Sequence, residues 1–376
     1  MKFSFSNEQE QFRTMLRRFL AEKSPTSEIR RLMATDQGWE RETWKQLNSD
    51  LGLSAVHIPE AYGGQGFGFV ELAIVLEEMG RALLCGPYFS SVVLAANAIL
   101  NAGTEDQKQA LLPGIAAGET VAALAFTEEN GRWDSNGVTL TAKAQGDSYR
   151  LDGVKSFVLD GHTADLVVVL ARKPGTSGDE GLSFFTVRGD AKGLERRLLK
   201  SVDATRKLAL LKFDAVQAEL LGEADAAAAP FARTLDQAAV CLANEMVGGA
   251  DRLRQSALDY VMMRMQFGRP IASFQAIKHK CADMLVDVEL AKSAAYYAAE
   301  AAAEEAADLP AIASLAKACA ADAFMQTARE TIQLHGGVGF TWDNDTHLWF
   351  KRAKSSEVFL GSPKYHRELL MQRWNV

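Results

Sequence analysis

Arg264-Met-Gln-Phe-Gly-Arg-Pro-Ile271, with Phe274-Gln-Ala-Ile-Lys-His279 close behind it, stands between two long helical runs. Gly268 and Pro270 force a sharp change of direction, since glycine tolerates left-handed backbone and proline cannot continue a helix. Arg264 closes the upstream run and offers a planar fork of donors suited to a phosphate. A cation complementing the negative end of the helix dipole is the plainer reading of the same residue. Working outward, the upstream run covers roughly 231–265 and the downstream run 273–307. A third covers 311–334, and a final pair surrounds Gly361.

The first third also reads as helices. Ser6-Asn-Glu-Gln9 and Thr104-Glu-Asp-Gln107 are capping boxes, each satisfying orphan amide donors at a helix start. Between them Pro59-Glu-Ala-Tyr-Gly-Gly-Gln-Gly-Phe-Gly68 is a turn-rich entry to an apolar helix over 70–83. Its glycines suggest a dinucleotide loop only superficially, because no strand-and-helix unit surrounds them, and we read a structural turn. Near Thr120 the period changes. Short strand-like runs follow at 121–126, 138–142, 149–151, 156–159, 166–170, 182–187 and 208–213, broken by Gly, Asp and Asn. Residues 175–181 read as an exposed loop and 224–229 as an alanine-rich linker. Helices, then strands, then long helices mean segregated layers, an α+β chain, divided here as 1–119, 120–226 and 227–376.

Composition narrows the function. A net charge of -7 argues against nucleic acid, which needs a basic footprint. Cys85, Cys241, Cys281 and Cys319 are far apart and the histidines share no ligand spacing, so neither a metal nor a disulfide framework is expected. Met1-Lys-Phe-Ser-Phe5 has no apolar core of signal-peptide length, and no run reaches the roughly 18 apolar residues of a membrane span. The expectation is a cytoplasmic protein away from the membrane.

The order of elements resembles the acyl-CoA dehydrogenase superfamily: an N-terminal α-helical domain, a middle antiparallel β-domain and a C-terminal four-helix bundle. Several motifs fall in register. Pro59-Glu-Ala-Tyr-Gly-Gly64 is similar to the family's early turn, and Ala125-Phe-Thr-Glu128 and Gly153-Val-Lys-Ser-Phe-Val158 to its flavin-facing strands. Thr205-Arg206, the Arg264 turn and Gln333-Leu-His-Gly-Gly-Val-Gly339 follow in order. The resemblance implies FAD, held by Phe126, Thr127, Phe157, Val158, Leu159, Arg264, Phe267, Gln275, Gln333, Gly336, Gly337 and Ser362. It implies that the Arg264 and Gly336-Gly337 turns reach the cofactor of a neighbouring subunit in an oligomer. It also implies dehydrogenation of an acyl-CoA thioester to the trans-2-enoyl-CoA, with electrons passed to an electron-transfer flavoprotein.

At the decisive position the sequence departs from the family. Most members carry the catalytic glutamate just before the glycine matching Gly361, where this chain has Leu360 in Ser356-Glu-Val-Phe-Leu-Gly-Ser362. The alternative family position, on the helix before Arg264, is Ala238. Glu245 lies seven residues further along that helix, on roughly the same face and about 10 Å along the axis. It is the candidate base, and the competing reading is a glutamate buried and paired inside the helical bundle, or one exposed at an oligomer seam. Trp133, Phe157, Leu159 and Ala239 also replace residues usual around the flavin and substrate, which points to a rebuilt pocket for a bulky or carboxylated acyl chain. With Lys364-Tyr-His-Arg367, these features look most like subunits of heteromeric dehydrogenases of the pimeloyl-CoA dehydrogenase small-subunit type. Two assemblies stay open, a homo-oligomer or a hetero-oligomer with a paralogous dehydrogenase subunit, and the alternative function is a non-catalytic subunit that completes its partner's FAD site.

Overall fold

The computed structural model describes residues 5–146 and 148–375; residues 1–4, part of the segment read for a leader, lie outside the described residues. The chain opens with α1 Asn7–Lys23, α2 Thr26–Met33, α3 Arg41–Ser49, α4 Phe69–Ala82, α5 Ala96–Ala102 and α6 Glu105–Ala116. Seven strands follow: β1 Ala122–Ala125, β2 Thr141–Gln145, β3 Ser148–Leu159, β4 Leu166–Arg172, β5 Leu182–Arg188, β6 Leu194–Leu199 and β7 Leu208–Leu221. The last part holds α7 Ala228–Met263, the two-residue strands β8 Met265–Gln266 and β9 Arg269–Pro270, α8 Gln275–Ala303, α9 Leu309–His335, α10 Thr346–Val358 and α11 Pro363–Arg373. Both capping boxes form, with Ser6 and Gln9 at 2.8 and 3.2 Å and Thr104 and Gln107 at 3.0 and 3.4 Å. The chain gathers into two compact units, each built from separated segments.

The helical unit comprises Met1–Arg31, Phe69–Leu84 and Ala239–Val376. Within it α4 is buried from Leu72 to Gly80 without a polar face. Such a helix must be enclosed by others. The backbones of α4 and α7 touch. A Cβ added at Gly80 would stand 2.0 Å from the Glu245 carbonyl oxygen, and one at Gly248 would stand 1.9 Å from that of Glu77. Glu77 and Glu78, carried into the interior by α4, meet guanidinium groups from α1. Arg13 lies 2.5 Å from Glu77, and Arg17 grips both oxygens of Glu78 at 2.6 and 2.9 Å. The Tyr296 hydroxyl of α8 also reaches Glu77, at 2.8 Å.

The sheet unit comprises Leu32–Gly68 and Cys85–Ala238. Its pairings close on themselves, from β4 to β5, β7, β3, β2 and back to β4. Leu151, Val167, Val169, Phe185, Leu211 and Val216 are among the residues that fill the ring. Three departures from the sequence reading stand out. The sheet is not wholly antiparallel, since β1 runs parallel to β4. The runs at 149–151 and 156–159 are one strand, β3, whose register on β7 slips at Leu151/Gly153 and again at Lys155/Val158. Gly153, at φ +143°, marks a bulge between the two runs. The edge strand β6 was not foreseen, because its exposed Glu195, Arg196 and Arg197 hide any alternation. In the 63–68 stretch, the amides of Gln65, Gly66 and Phe67 donate to the carbonyls of Ala55, Ile58 and Val56. Those amides are therefore engaged in a folded turn and do not face a phosphate.

Among the described residues, no helix is long and apolar enough to cross a membrane.

Two predictions follow from the packing. Gly248→Ala inserts a methyl against a backbone oxygen that cannot rotate away, so α4 and α7 must part. Overpacking of this kind costs about 1–3 kcal/mol, and urea unfolding should show a loss at or above the top of that range. Second, burial outweighs the Asn97 hydrogen bond and pushes the His57 imidazole down to about 4, while burial and Lys317 push His366 to about 3. Both folded-state values lie below the unfolded value of 6.5, so the unfolded chain binds protons that the native chain refuses. Stability should be complete above pH 6.5 and fall as the pH drops toward 4. Thermal unfolding across that window should show the slope, and His57→Gln should flatten it.

Candidate functional site

On the sheet unit, a cross-braced bend gathers the strand-end residues singled out from the sequence. Lys155 of β3 is fully buried. Its amine donates to the Phe126 carbonyl at 3.2 Å and to Glu128 at 2.8 Å. Burial drives the lysine down, against the pull of Glu128, to about 8. Burial also pushes Glu128 up, but Lys155 and the Leu140 amide outweigh it and hold the carboxyl below its usual range. The Glu128 oxygens further accept the Thr139 amide at 2.8 Å and the Thr139 hydroxyl. Beside this pair the Thr127 hydroxyl donates to the Ser156 carbonyl at 2.6 Å, and the Ser156 amide returns a bond to the Thr127 carbonyl at 2.9 Å.

That bracing holds β3 at its second register slip, where Phe157 adopts φ +59° and stays 43% exposed. A bulky residue in the left-handed region stores strain of roughly 1–2 kcal/mol. The neighbouring Ser156 hydroxyl is buried with no hydrogen-bond partner among the described residues. Strain, an orphan hydroxyl and an exposed aromatic ring at one bulge are the marks of a surface built for a ligand with a flat face. Phe126, Val158 and Leu159 turn inward. Phe126 packs on Trp133 and Phe231, and the other two side chains are 1% and 3% exposed. Only backbone atoms of Val158 and Leu159 could face a ligand.

On the helical unit, Arg264, Phe267, Gln275, Gln333, Gly336 and Gly337 are all exposed. The two turns that carry most of them come together. Tyr260 at the end of α7 stacks on His335 at the end of α9 with centroids 4.2 Å apart, and the small core of Ala257, Val261, Met284 and Leu334 lies alongside. Arg269 stacks on Phe274 at 4.1 Å, whereas the Arg264 guanidinium has no ion-pair partner among the described residues. Cβ atoms at Gly268, Gly336 and Gly337 would meet nothing within 4 Å among the described residues, so these backbones are open to close approach by a ligand. Exposed cationic, aromatic and bare-backbone groups on one end suit an anionic nucleotide.

Leu360 and Ser362 lie on a different turn, between α10 and α11, at Lys317. Lys317 precedes His335 by eighteen residues on α9, roughly 27 Å at 1.5 Å per residue. Ser362 caps α11 by accepting the Tyr365 amide at 3.3 Å. Glu245, also in this unit, is buried and ion-paired, with Arg352 of α10 2.7 Å from its Oε1. The competing reading of Glu245 as a paired carboxylate thus has direct geometric support. Removing either partner of a buried ion pair of this kind costs about 3–5 kcal/mol. Lys155 and His366 enter the sequence analysis only as members of the Gly153–Val158 and Lys364–Arg367 motifs, with no role of their own, and Lys317 and Arg352 do not enter it. Lys317 stands out locally as a lone cation among the alanines of 311–323.

Lys155→Met should strip Glu128 of its counter-charge and destabilise the chain by about 3–5 kcal/mol. Pairing it with Glu128→Gln should recover much of that loss, and a double-mutant cycle by denaturant unfolding measures both.

The chain matches the N-terminal domain of the acyl-CoA dehydrogenases over residues 6–119, their middle domain over 123–216 and their C-terminal domain over 228–374. It is 32% identical over 357 residues to the acyl-CoA dehydrogenase IpdE2 of Mycobacterium tuberculosis, covering 95% of this chain and 94% of that one. Butyryl-CoA dehydrogenase from Megasphaera elsdenii is similar in structure, with a TM-score of 0.92, 26% identity and full coverage of both chains. A chain of the ChsE4-ChsE5 complex from Mycobacterium tuberculosis aligns with a TM-score of 0.89 and 26% identity over 100% of this chain and 99% of that one. The chain belongs to the acyl-CoA dehydrogenase family of flavoprotein oxidoreductases.

Proposed function

We propose that this chain is a subunit of a cytoplasmic FAD-dependent enzyme that oxidises a bulky or carboxylated acyl-CoA to its trans-2-enoyl-CoA and passes the electrons to an electron-transfer flavoprotein. The FAD sites are shared between chains. The observation that carries this reading is the spacing along α9: the cluster of Arg264, Gly336 and Gly337 lies about 27 Å along that helix from the Lys317 level that meets the Leu360–Ser362 turn. One chain therefore offers two partial cradles, and a neighbour, whether a second copy or a paralogous dehydrogenase subunit, completes each.

Phe126, Thr127, Phe157, Val158 and Leu159 of the sheet unit would hold FAD, and Ser362 of the helical unit would offer its hydroxyl to FAD. Arg264, Phe267, Gln275, Gln333, Gly336 and Gly337 would hold a neighbour's. When bound, FAD supplies the acceptor for the hydride leaving the β-carbon. Leu360 cannot take a proton, but its N–H donates to no acceptor among the described residues and is available to a thioester oxygen. Glu245 is the carboxylate assigned to the α-proton, and it acts only where Arg352 is drawn off or its charge is shared with the substrate.

The Glu245–Arg352 pair, with Leu360 and Ala238, favours a second reading: a non-catalytic subunit that completes the FAD site of a paralogous partner. One experiment separates the two. The purified assembly, carrying its flavin, is mixed with acyl-CoA thioesters and followed at the flavin absorbance band. If Glu245 is the base, Glu245→Gln should slow bleaching by about 100-fold or more with flavin content unchanged. Bleaching at the wild-type rate would remove Glu245 as base and assign the chemistry to the partner.

A further inference from the structure

The turn between α10 and α11 is bent in a way that its own sequence does not sustain. Leu360 sits at φ +61° and Gly361 at φ +108°. Only glycine fits the second position, since a Cβ there would lie 2.3 Å from the Tyr365 ring. Leucine in the left-handed region is itself strained. Leu360 is 4% exposed, and its N–H lacks an acceptor among the described residues. An unpaired buried amide costs about 1–3 kcal/mol.

Two side chains from other helices hold this bend. Lys317 of α9 is wholly buried, and its amine reaches the Gly361 carbonyl at 3.0 Å and the Glu357 carbonyl at 3.4 Å. The Glu357 carboxylate itself turns to Lys354. His366 of α11, kept neutral by burial, donates from Nε2 to the Leu360 carbonyl at 2.9 Å and turns Nδ1 toward the Ser314 hydroxyl at 3.5 Å. Arg373 fixes that hydroxyl at 2.8 Å. The carbonyls of 357, 360 and 361 are thus all engaged while the amide of 360 is left bare. A carbonyl and the amide that follows it share one plane, so these bonds fix the peptides at 357–358, 360–361 and 361–362 and bracket, from both sides, the short stretch that carries the Leu360 N–H. A lysine serving only to cap α10 would need neither complete burial nor the contact to Gly361, which lies beyond the helix end.

We propose that Lys317, assisted by His366, is a positioning residue that locks the Leu360–Gly361 bend so that the Leu360 N–H is held ready as a donor to the substrate's thioester oxygen. The proposal rests on the dehydrogenase reading above for the identity of that acceptor, and on the geometry alone for the clamp.

The test uses the flavin-loaded assembly with Lys317→Met, which removes the donor, and Lys317→Gln, which keeps one. Hydrogen–deuterium exchange of the peptide over 356–364 reads the bend directly, and single-turnover flavin bleaching by acyl-CoA reads its consequence. Lys317→Met should retain flavin and bind acyl-CoA within about threefold of wild type. Its limiting bleaching rate should fall about 100-fold, the usual effect of a misplaced group, and its bend should exchange at least about tenfold faster. Lys317→Gln should recover part of both. Unchanged exchange in Lys317→Met overturns the clamp, as does a rate loss matched by equal losses of binding and thermal stability. If Lys317→Met fails to fold, His366→Gln takes its place, with the same exchange and rate criteria. If wild type does not bleach with any acyl-CoA, the dehydrogenase reading fails, and the exchange result alone upholds or overturns the clamp.

Discussion

Burying a lysine amine is unfavourable unless its protons find acceptors, and this chain does it twice beneath a strained bend. Lys155 anchors the end of β1 to β3 just before the left-handed Phe157. Lys317 anchors the left-handed Leu360–Gly361 turn to α9. In each case burial draws the amine's proton affinity down, to about 8 and about 7. In each case a main-chain carbonyl takes the hydrogen bond. Left alone, neither bend would persist, because a bulky residue at positive φ relaxes unless its surroundings over-determine it. The two lysines provide that constraint, one in each unit, beneath the segments that the family resemblance assigns to cofactor and substrate.

Helix rigidity is the second constraint. α7, with 36 residues, and α9, with 27, act as rods. A group at one end of such a rod cannot be brought to the other without breaking the helix. Under the proposed reading, the exposed glycines and the Arg264 guanidinium, which has no ion-pair partner among the described residues, would serve a ligand other than one beside Leu360, or the same kind of ligand on another chain. This is the physical reason for expecting an assembly, and it does not depend on which assembly forms.

The carboxylate on α7 illustrates how a charged residue on a suitable helix can still be occupied. Glu245 sits where α4 and α7 touch, and its carbonyl packs against Gly80. Its side chain meets Arg352 across the bundle. Such a pair fixes the register between α7 and α10, and it makes any proton transfer at Glu245 conditional on what happens to the guanidinium.

The sequence by itself determined what local chemistry controls. The capping boxes at Ser6 and Thr104, the long helices and the glycine turns were legible because each is decided within a few residues of chain. The ordered turns were specific enough to indicate the family. Tertiary structure alone decided the closing of the sheet, the parallel pairing of β1 with β4, the joining of two short runs into β3 and the placing of β6 at the edge of β7. It alone also decided that Glu245 meets a guanidinium 107 positions away, and that a lysine among alanines reaches a turn 44 positions on. No periodicity encodes such contacts, because they depend on which helix faces land against one another once the core is packed.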